Sequence, residues 1–592
     1  MRIPMARKGT RLFSMIGLGL AVLATAVTAT VALAAAGPPQ KAAARKAAPL
    51  RFEITFPAAA HPGPITGRVY VMIARAGGAA GTLPGPGAGS GPGPVAADRQ
   101  PRLQIGRTGT PFFGRDIERL APGQAAVIDA TDLGTPVASL RDIPAGDYVV
   151  QAMVNVYSEF KRADGHVVWM HDDQWEGQRW NVSPGNLYSA PVTMRVDPAA
   201  GGIVKLVADQ VIPPITLPAD TPWVKRFRIQ SPMLTKFWGR PVYLGATVLL
   251  PRDYERETTS YPVLYDQGHF STGAPLRFDP AFTPSERQPY NVAMDWMKPD
   301  FPKMVVVTFQ HPTPYFDDSY AVNSVNVGPY GDAIMQELIP EVEKRFRVLR
   351  EPYARVLSGG STCGWESLAL QIFHPDFFGG TWSSCPDSVT FTDVEGINIY
   401  QDTNAFYKTN ANGWLQVPTI NSREVNGQVR QTSEQRNHFE LVHGTKGRSG
   451  EQLDIWSAVY GPLGADGYFQ PLFNKRTGEI DPTVAQSWRN NYDLLEYMKR
   501  NWPAVGPKLV DKIHVYTGTA DTYFLNNSTR ELQEWMKTTA NPHYEGYFLY
   551  GDGKPHCWSG PVNQGERLKE MAQHILAHKP DWATAGWWPR TP

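Results

Sequence analysis

The stretch "VLSGGSTCGWESLALQIFHPDFFGG", residues 356–380, decides how the second half of this chain folds. It starts with the apolar residues of a strand, passes through glycines and small polar residues, and continues with the spacing of a helix. A serine in such a turn is typical of a nucleophile elbow, which raises the hydroxyl above a sheet. Gly359 occupies the first small position of the turn and Cys363 the second. The stretch therefore predicts a strand–turn–helix unit with Ser361 at its apex.

Strands and helices alternate on both sides of this unit, over residues 220–592. Alternation predicts a mostly parallel sheet with helices on both faces and ligands at the carboxyl ends of the strands. The predicted strands are "RPVYLGATVLLP", "YPVLYDQG", "KMVVVTFQ", "YARVLSG", "GGTWSSC", "KIHVYTG" and "HYEGYFLY". The predicted helices are Gly331–Phe346, Gly364–Phe373, Ser528–Thr539 and Gln564–Ala577. Residues from about 391 to 500 interrupt the alternation with a polar and aromatic mixture, which predicts a functional insertion or cap without regular elements.

The first half of the chain has a different pattern. Over residues 51–219 short β-type runs are separated by turn residues without long helical periodicity, which predicts an all-β, sandwich-like domain. Residues 76–98 have almost no side chains large enough to bury. We expect a disordered Gly/Pro loop there, because β-type sequence resumes after it. The proline-rich segment 211–222 predicts the boundary to the second domain.

The N-terminus has the order of features found in secretory signal peptides. Basic residues precede an apolar run that closes in small residues, so residues 1–36 are predicted to be a signal peptide. An uncleaved membrane anchor is the alternative, because the run is long enough to span a bilayer. Residues 37–50 are predicted to form a flexible lead. We expect a secreted or periplasmic protein without stable membrane insertion after cleavage.

Composition and charge exclude several classes of protein. The 592 residues are 42% hydrophobic and 19% charged, as in a folded globular protein. Lysine and arginine total 57 against 56 acidic residues, so no broad basic field is available for nucleic acid. Only three cysteines are present, which is too few for a disulfide scaffold.

A serine hydroxyl becomes a good nucleophile only when a base takes its proton, so the elbow requires a histidine held by a carboxylate. Asp521 follows the strand "KIHVYTG" and His556 follows the strand "HYEGYFLY". The chain order serine, acid, histidine is the one expected for such an elbow. Asp552 and Asp387 are the alternative acids, and each is less well placed.

An oxyanion that forms at the acyl carbon needs two preorganised amide donors. The backbone N–H of Thr362, directly after the serine, is one candidate. The other is the N–H of His269, in the turn after "YPVLYDQGHF", where a neighbouring glycine permits close approach of a backbone. An ordinary strand-ending turn is the alternative interpretation of this second segment.

Three segments together resemble a known family. These are "ELIPEVEKRFRV" at 337–348, the elbow "SGGSTCG", and "HPDFFGG" at 374–380. They are similar to esterase D-like esterases of the α/β-hydrolase superfamily, which include feruloyl esterases, S-formylglutathione hydrolases and enterochelin esterases. The resemblance covers residues 224–592 and implies that Ser361, Asp521 and His556 form a catalytic triad, with Thr362 and His269 in the oxyanion hole. The cysteine in the elbow, the long insertion and the β-rich N-terminal half depart from the family pattern.

The cysteines extend this comparison. Cys363 stands two residues after the serine and Cys557 one residue after the histidine, so a triad would bring them near one another. A cysteine pair links the serine and histidine segments in tannase-like feruloyl esterases, and by that resemblance Cys363–Cys557 is a possible disulfide. Cys385 is the rival partner, and three buried free thiols are the remaining alternative. Cys363 as the nucleophile is disfavoured by its position inside the first turn of the helix.

The segment "WMHDDQWEGQRW", residues 169–180, offers tryptophans for stacking on sugars or phenolics and a histidine and aspartates for a cation. Tryptophans at this spacing more often fill a core or a domain interface, because each has a large apolar area to bury. No zinc-type spacing, phosphate-binding loop or dinucleotide fingerprint stands in a suitable context, so we expect neither a metal nor a cofactor.

These observations predict a secreted serine hydrolase that cleaves a carboxylic ester through an acyl-enzyme. The resemblance suggests a small-molecule or polysaccharide-linked substrate, such as a feruloyl, acetyl or siderophore-type ester, with the β-rich domain helping to recognise it. A serine peptidase or acyltransferase on the same fold is one alternative, because a triad does not reveal the leaving group. A non-catalytic carbohydrate-binding protein with a degenerate hydrolase domain is the other.

Overall fold

A computed structural model describes residues 48–76, 100–106 and 109–589, and these pack as one compact unit. The predicted signal peptide, nearly all of the predicted lead and the predicted Gly/Pro loop lie outside the described residues. Within the described residues, none of the helices is long and apolar enough to cross a membrane.

The N-terminal part is built of strands that form two sheets. One sheet has the order β10-β1-β4 and the other β11-β8-β6-β2-β3-β5, with β7 and β9 also paired to β6. Alternate side chains such as Phe52, Ile54, Val69, Val71 and Val150 fill the space between them. The predicted all-β, sandwich-like architecture is confirmed. The strands are β1 (Arg51–Thr55), β2 (Ile65–Arg75), β3 (Phe112–Leu120), β4 (Ala126–Ile128), β5 (Gly134–Thr135), β6 (Gly146–Lys161), β7 (Val167–His171), β8 (Leu187–Tyr188), β9 (Val192–Val196), β10 (Ile203–Val207) and β11 (Gln210–Val211).

The C-terminal part contains the large sheet and several short hairpins. Its strands are β12 (Val224–Gln230), β13 (Tyr243–Leu249), β14 (Val263–Asp266), β15 (Val305–Gln310), β16 (Asn323–Ser324), β17 (Gly328–Pro329), β18 (Arg355–Gly360), β19 (Gly380–Ser384), β20 (Tyr407–Thr409), β21 (Gln416–Pro418), β22 (Ile420–Arg423), β23 (Val429–Thr432), β24 (Ile513–Gly518) and β25 (Tyr547–Gly551).

Helices cover both faces of this sheet. They are α1 (Pro232–Trp238), α2 (Ala293–Trp296), α3 (Tyr330–Ala333), α4 (Ile339–Arg345), α5 (Thr362–Phe373), α6 (Ser433–His443), α7 (Gln452–Tyr460), α8 (Pro482–Asn491), α9 (Leu494–Leu509), α10 (Asn526–Met536) and α11 (Gln564–Ala577). A π-helical turn, Ile334–Leu338, joins α3 to α4.

The large sheet has the order β12-β13-β15-β14-β18-β19-β24-β25. The first two pairings are antiparallel and the other five are parallel. All six residues of β15 are buried, as expected for a strand covered on both faces. The predicted mostly parallel sheet is confirmed, and the carboxyl ends of β18, β24 and β25 lead directly into the segments of Ser361, Asp521 and His556.

The segment from about 391 to 500 differs from the prediction. It contains helices α6, α7 and α8, the start of α9, and the hairpins β20–β21 and β22–β23. The sequence obscured these helices because their buried faces carry polar residues as well as apolar ones. In α6, for example, Arg436, Asn437 and Glu440 are all buried. The apolar periodicity on which helix prediction depends is therefore weak there.

Helix α6 packs against the N-terminal sheet. Trp180 stacks on Tyr70 with ring centroids 4.1 Å apart, and both belong to a buried cluster that includes Phe439 and Val442 of α6. The buried Arg68 guanidinium donates to the carbonyl of Val442 at 2.9 Å. Trp180 therefore fills an interface, as its spacing predicted. The β-rich half and the insertion share one apolar core at this point.

This interface should be important for stability. We expect Trp180→Ala to lower the apparent free energy of unfolding by about 3–5 kcal/mol, because it leaves a large cavity between the N-terminal sheet and α6. Trp414, which is 92% exposed, provides the matched control. Trp414→Ala should change the same quantity by less than about 0.5 kcal/mol. Chemical denaturation followed by circular dichroism measures both, and equal effects of the two variants would contradict this assignment.

Candidate active site

Ser361 occupies a strained turn between β18 and α5. Its backbone has φ 60° and ψ −127°, a conformation that non-glycine residues rarely adopt. Hydrogen bonds hold this turn, because the Ser361 N–H donates to the carbonyl of Ser384 at 3.0 Å and its carbonyl accepts from the Gly364 amide at 2.8 Å. The amide of Asp387 donates to the same carbonyl at 3.1 Å. This is the geometry expected of a nucleophile elbow.

Two glycines allow the helix to lie against the strands here. A Cβ on Gly359 would lie 2.1 Å from the carbonyl oxygen of Cys363, and one on Gly364 would lie 2.8 Å from that of Ser384. Both gaps are too small for a side chain. The cysteine at the second elbow position is accommodated, with its side chain buried in the first turn of α5. The close packing at Gly364 was not predicted from the sequence.

Ser361, His556 and Asp521 lie next to one another. Ser361 Oγ is 3.0 Å from His556 Nε2, and His556 Nδ1 is 2.8 Å from Asp521 Oδ2. The other oxygen of Asp521, which is fully buried, accepts the backbone N–H groups of Tyr523 and Leu525 at 2.8 and 3.2 Å. The elbow serine and the carboxylate of Asp521, itself held by two amides of its own loop, thus fix the orientation of the imidazole.

The electrostatic environment favours the charged form of His556. Burial lowers the pKa of its imidazole, but hydrogen bonds and charge interactions with Asp521 and Cys557 more than offset this, so the pKa lies well above 6.5. The neutral form of a histidine in such a setting is a strong base.

Comparison with known proteins finds a family model that matches part of the chain. Residues 243–435 match the family model described as "Esterase: Putative esterase". This chain carries an esterase domain. It is a carboxylic ester hydrolase with the α/β-hydrolase fold.

Solved structures that match this esterase share little sequence with it. A ferulic acid esterase is 15% identical with a TM-score of 0.35, over 60% of this chain and 99% of that chain. An S-formylglutathione hydrolase from Agrobacterium tumefaciens is 13% identical with a TM-score of 0.32, over 62% and 97%. A feruloyl esterase module from Clostridium thermocellum is 13% identical with a TM-score of 0.29, over 62% and 93%. No curated protein matches the chain.

Neither of the two alternative acids of the esterase has a hydrogen bond to the imidazole of His556 among the described contacts. Asp552 is exposed, and its carboxylate accepts a hydrogen bond from Thr519 Oγ1 at 3.4 Å. Asp387 is buried and lies beside Ser361, whose Oγ is 3.3 Å from its Oδ1. Burial raises the pKa of Asp387, and its hydrogen bonds oppose that shift. Asp521 alone of the three is hydrogen-bonded to the imidazole of His556.

Side chains around Asp387 form a polar network that was missed from the sequence. Oδ2 of Asp387 accepts hydrogen bonds from Tyr320 OH at 2.7 Å, Gln452 Nε2 at 3.1 Å, Thr362 Oγ1 at 3.2 Å and Trp456 Nε1 at 3.3 Å. Two of these donors, Gln452 and Trp456, come from α7 of the insertion. No local signal in the sequence links them to the elbow.

A third residue of the insertion contacts the segment of Asp521. Arg423, at the end of β22, donates from Nε to the carbonyl of Asp521 at 3.1 Å, and its amide donates to the carbonyl of Thr522 at 2.9 Å. The insertion therefore contacts Asp387 through α7 and the Asp521 segment through β22. It helps to position the site instead of only covering it.

The two predicted oxyanion donors lie near the elbow in the fold. The N–H of Thr362 is among the first amides of α5, which have no partner within a helix. The His269 loop starts where the Gln267 amide donates to the carbonyl of Ser358 in β18, at 2.8 Å. The His269 side chain lies 3.1 and 3.2 Å from Asp317 and Asp318. Burial lowers the pKa of His269, and the two carboxylates raise it well above the ordinary value.

The contacts of the cysteines differ from the possible disulfide Cys363–Cys557. Cys557 Sγ lies 2.7 Å from Cys385 Sγ, and all three cysteines are free thiols. The Sγ atom of Cys363 lies instead with the side chains of His269 and Asp318, with ligand atoms within 4.8 Å of one another. The possible disulfide Cys363–Cys557 is therefore wrong. The first turn of α5 places the Cys363 thiol with His269 and Asp318, whereas Cys557 meets Cys385.

Two groups of side chains could hold a metal ion by distance within the described part of the chain. One is Cys385, His556 and Cys557, and the other is His269, Asp318 and Cys363. Near the second group Glu366 is fully buried, and burial, followed by the charge of Asp318, raises the pKa of its carboxyl well above the ordinary value. A neutral Glu366 needs no cation beside it.

The segment 169–180 forms no cation site in the structure. His171 is buried, with Nδ1 2.8 Å from Asn155 Oδ1 and Nε2 2.7 Å from Glu176 Oε1. Both nitrogens of the imidazole therefore have protein partners. Trp175 lies edge-on to Phe270, with ring centroids 5.2 Å apart. Phe270 belongs to the loop that carries His269.

The packing of Gly359 yields a prediction. We expect Gly359→Ala to lower the activity of the esterase at least 100-fold, because its Cβ overlaps a backbone oxygen and α5 must shift to relieve the overlap. A displacement of about 1 Å at a catalytic group costs about 100-fold.

Gly106 is the control, because a Cβ there would meet nothing within 4 Å. Hydrolysis of 4-nitrophenyl acetate by both variants, with circular dichroism to confirm folding, measures the difference. Full activity of the Gly359→Ala variant would contradict the packing argument.

Proposed function

We propose that this esterase is a serine hydrolase that works through an acyl-enzyme formed on Ser361. The observation that carries the proposal is the continuous chain from Ser361 Oγ to His556 at 3.0 Å and from His556 to Asp521 at 2.8 Å, with the serine in an elbow turn. In this arrangement His556 accepts the proton of Ser361 as its oxygen attacks the acyl carbon. Asp521 holds the imidazole and stabilises the imidazolium.

The remaining steps use the same groups. Amide donors of Thr362 and His269 would receive the oxyanion of the tetrahedral intermediate, where the protein dipoles need no reorganisation. His556 then returns its proton to the leaving alcohol, and the C–O bond of the ester breaks. Water, activated by the same imidazole, attacks the acyl-serine and releases the acid.

For the substrate we propose a feruloyl, acetyl or siderophore-type ester, either small or attached to a polysaccharide. The resemblance of the elbow and of "HPDFFGG" to the esterase D-like group supports this choice. Tyr523, whose ring stands edge-on to that of His556 with centroids 4.9 Å apart, offers an aromatic edge beside the base.

We also propose that the protein acts in the periplasm or outside the cell, on the pattern of its first residues.

The nucleophile can be tested directly. Ser361→Ala should lower kcat for 4-nitrophenyl acetate by about 10⁴-fold or more, because no other group supplies the attacking oxygen. A fluorophosphonate should label the wild-type protein at Ser361 and leave the variant unlabelled. Ser285→Ala, at an exposed turn serine, is the control and should behave as the wild type. Undiminished hydrolysis by Ser361→Ala, or no labelling of the wild type, would contradict the assignment of Ser361 as the nucleophile.

The substrate class needs parallel assays. Methyl ferulate, 4-nitrophenyl acetate, a peptide amide and an ester with an added acyl acceptor separate esterase, peptidase and acyltransferase activities. We expect turnover of the esters to free acid. Cleavage of the peptide without cleavage of an ester would favour a peptidase.

The acid of the triad can be tested by pH dependence. His556 must be neutral to act as a base, so activity should fall as the pH decreases through its pKa, which lies above 6.5. Asp521→Asn removes the carboxylate that offsets burial, so the acidic limb of kcat/KM should move to lower pH and kcat should fall about 10⁴-fold. Asp552→Asn is the matched control and should keep the wild-type profile. Profiles of kcat/KM between pH 5 and 9 measure both, and an unmoved limb in Asp521→Asn would reject Asp521 as the orienting acid.

A further inference from the structure

Two cysteines meet at the edge of the proposed site. Cys385 directly follows β19, and Cys557 directly follows His556. Their Sγ atoms are 2.7 Å apart, so a shift of less than about 1 Å would bring them to the 2.05 Å bond of a disulfide. The contact joins segments 172 positions apart in the chain. It therefore joins the end of β19, the strand next to the elbow strand β18, to the histidine loop.

Both cysteines lie beside the proposed catalytic groups. A Cβ on Gly360 would lie 3.5 Å from Cys557 Sγ, which places this sulfur over the elbow. Cys385 stands between Ser384, whose carbonyl accepts the Ser361 N–H, and Asp387, whose amide donates to the Ser361 carbonyl. A bond between the two sulfurs would thus tie the histidine loop to the segment that holds the serine turn.

We propose that Cys385 and Cys557 are a reversible dithiol–disulfide pair whose oxidation links the His556 loop to the end of β19 and alters turnover at the site. The part that concerns turnover rests on the proposed function, whereas formation of the bond does not. Cys557 is exposed and Cys385 is buried. Cys557 is therefore the thiol that an oxidant reaches first.

The oxidant is a disulfide, such as oxidised glutathione or the active-site disulfide of a thiol oxidoreductase. The Cys557 thiolate attacks one sulfur of that disulfide, and the bond breaks to release one thiolate and leave a mixed disulfide on Cys557. The Cys385 thiolate then attacks Cys557 Sγ and releases the second thiolate. The two cysteines lose two electrons and two protons, and the oxidant becomes two thiols.

The local chemistry suits this exchange. The hydrogen bond from Cys385 is the largest cause of a pKa lowered to about 6 at Cys557; burial opposes the shift and the neighbouring His556 adds to it. A thiolate is therefore present at neutral pH, and thiolates are the attacking species. Burial raises the pKa of Cys385, which keeps it protonated as the donor until the second step.

The same three side chains could in principle bind a metal ion, since Cys385, Cys557 and His556 have ligand atoms within 4.8 Å of one another. However, His556 Nδ1 is engaged by Asp521 at 2.8 Å and Nε2 by Ser361 at 3.0 Å. A metal would have to break one of these hydrogen bonds. Oxidation of the sulfurs leaves both hydrogen bonds of His556 in place, which favours a disulfide over a metal site.

Oxidation should also be visible in catalysis. The groups that face His556 are Asp521, Asp387, Tyr523 and the two cysteines. Of these, the Cys557 thiolate is removed by oxidation, and it is one of the groups that raise the pKa of His556. The acidic limb of kcat/KM should therefore move by about 0.5 pH unit or more to lower pH in the oxidised enzyme.

The test uses the full chain equilibrated with oxidised glutathione or with dithiothreitol, then quenched with acid, unfolded, alkylated and digested. We expect a peptide linked through Cys385 and Cys557 only in the oxidised sample, with Cys363 alkylated in both. Thermal melting should give a higher Tm for the oxidised sample, because the bond closes a long loop. Cys385→Ser and Cys557→Ser should lose the linked peptide and the redox-dependent Tm, whereas Cys363→Ser should keep both.

Several outcomes would overturn the proposal. These are free Cys385 and Cys557 in the oxidised sample, a glutathione adduct that persists on Cys557, a link to Cys363, or zinc binding by the reduced pair in place of oxidation. The same digest of Ser361→Ala separates this inference from the proposed function. A linked peptide there would support the pair even if Ser361 proved not to be catalytic, and fluorophosphonate labelling would support Ser361 even without the link.

Discussion

The turn at Ser361 is the constraint on which the rest of the site depends. A serine at φ 60° is strained, at a cost of about 1–3 kcal/mol, and it persists only because its surroundings hold it. Its N–H is bound to the carbonyl of Ser384, and its carbonyl accepts three amides from α5 and the segment after β19. Gly359 lets the helix lie directly on the strand. Without the parallel neighbour β19, half of these hydrogen bonds would have no partner.

From that turn the site extends in two directions across the sheet. On one side the loops after β24 and β25 bring Asp521 and His556 to the serine hydroxyl. On the other side Asp387 and Tyr320 form a buried polar network with residues of α7. The insertion reaches both sides, through α7 and through Arg423 at the end of β22. It is anchored in turn on the N-terminal sheet by the cluster around Trp180, so the β-rich half supports the site through α6.

Buried acids shape the electrostatics of the region. Burial raises the pKa of Asp266 to about 6, and it also raises the pKa values of Glu366 and Asp387. Groups of this kind remain protonated to a higher pH than exposed acids, which limits the negative charge beneath the serine. Asp521 differs from these acids in its contacts, because its oxygens accept two backbone amides and a hydrogen bond from the imidazole of His556.

The sequence by itself determined the alternation of strands and helices, the elbow at Ser361 and the order of Asp521 and His556 after later strands. These features depend on local residue patterns and on the rule that parallel strands end at one edge of a sheet. Only the tertiary structure decided that Cys385, and not Cys363, meets Cys557, because the parallel pairing of β19 with β24 and of β24 with β25 brings the end of β19 near the histidine loop. It also decided that α7 supplies Gln452 and Trp456, and that polar-faced α6 is a buried helix. Contacts between distant segments leave no periodicity in either segment, so no local pattern could have revealed them.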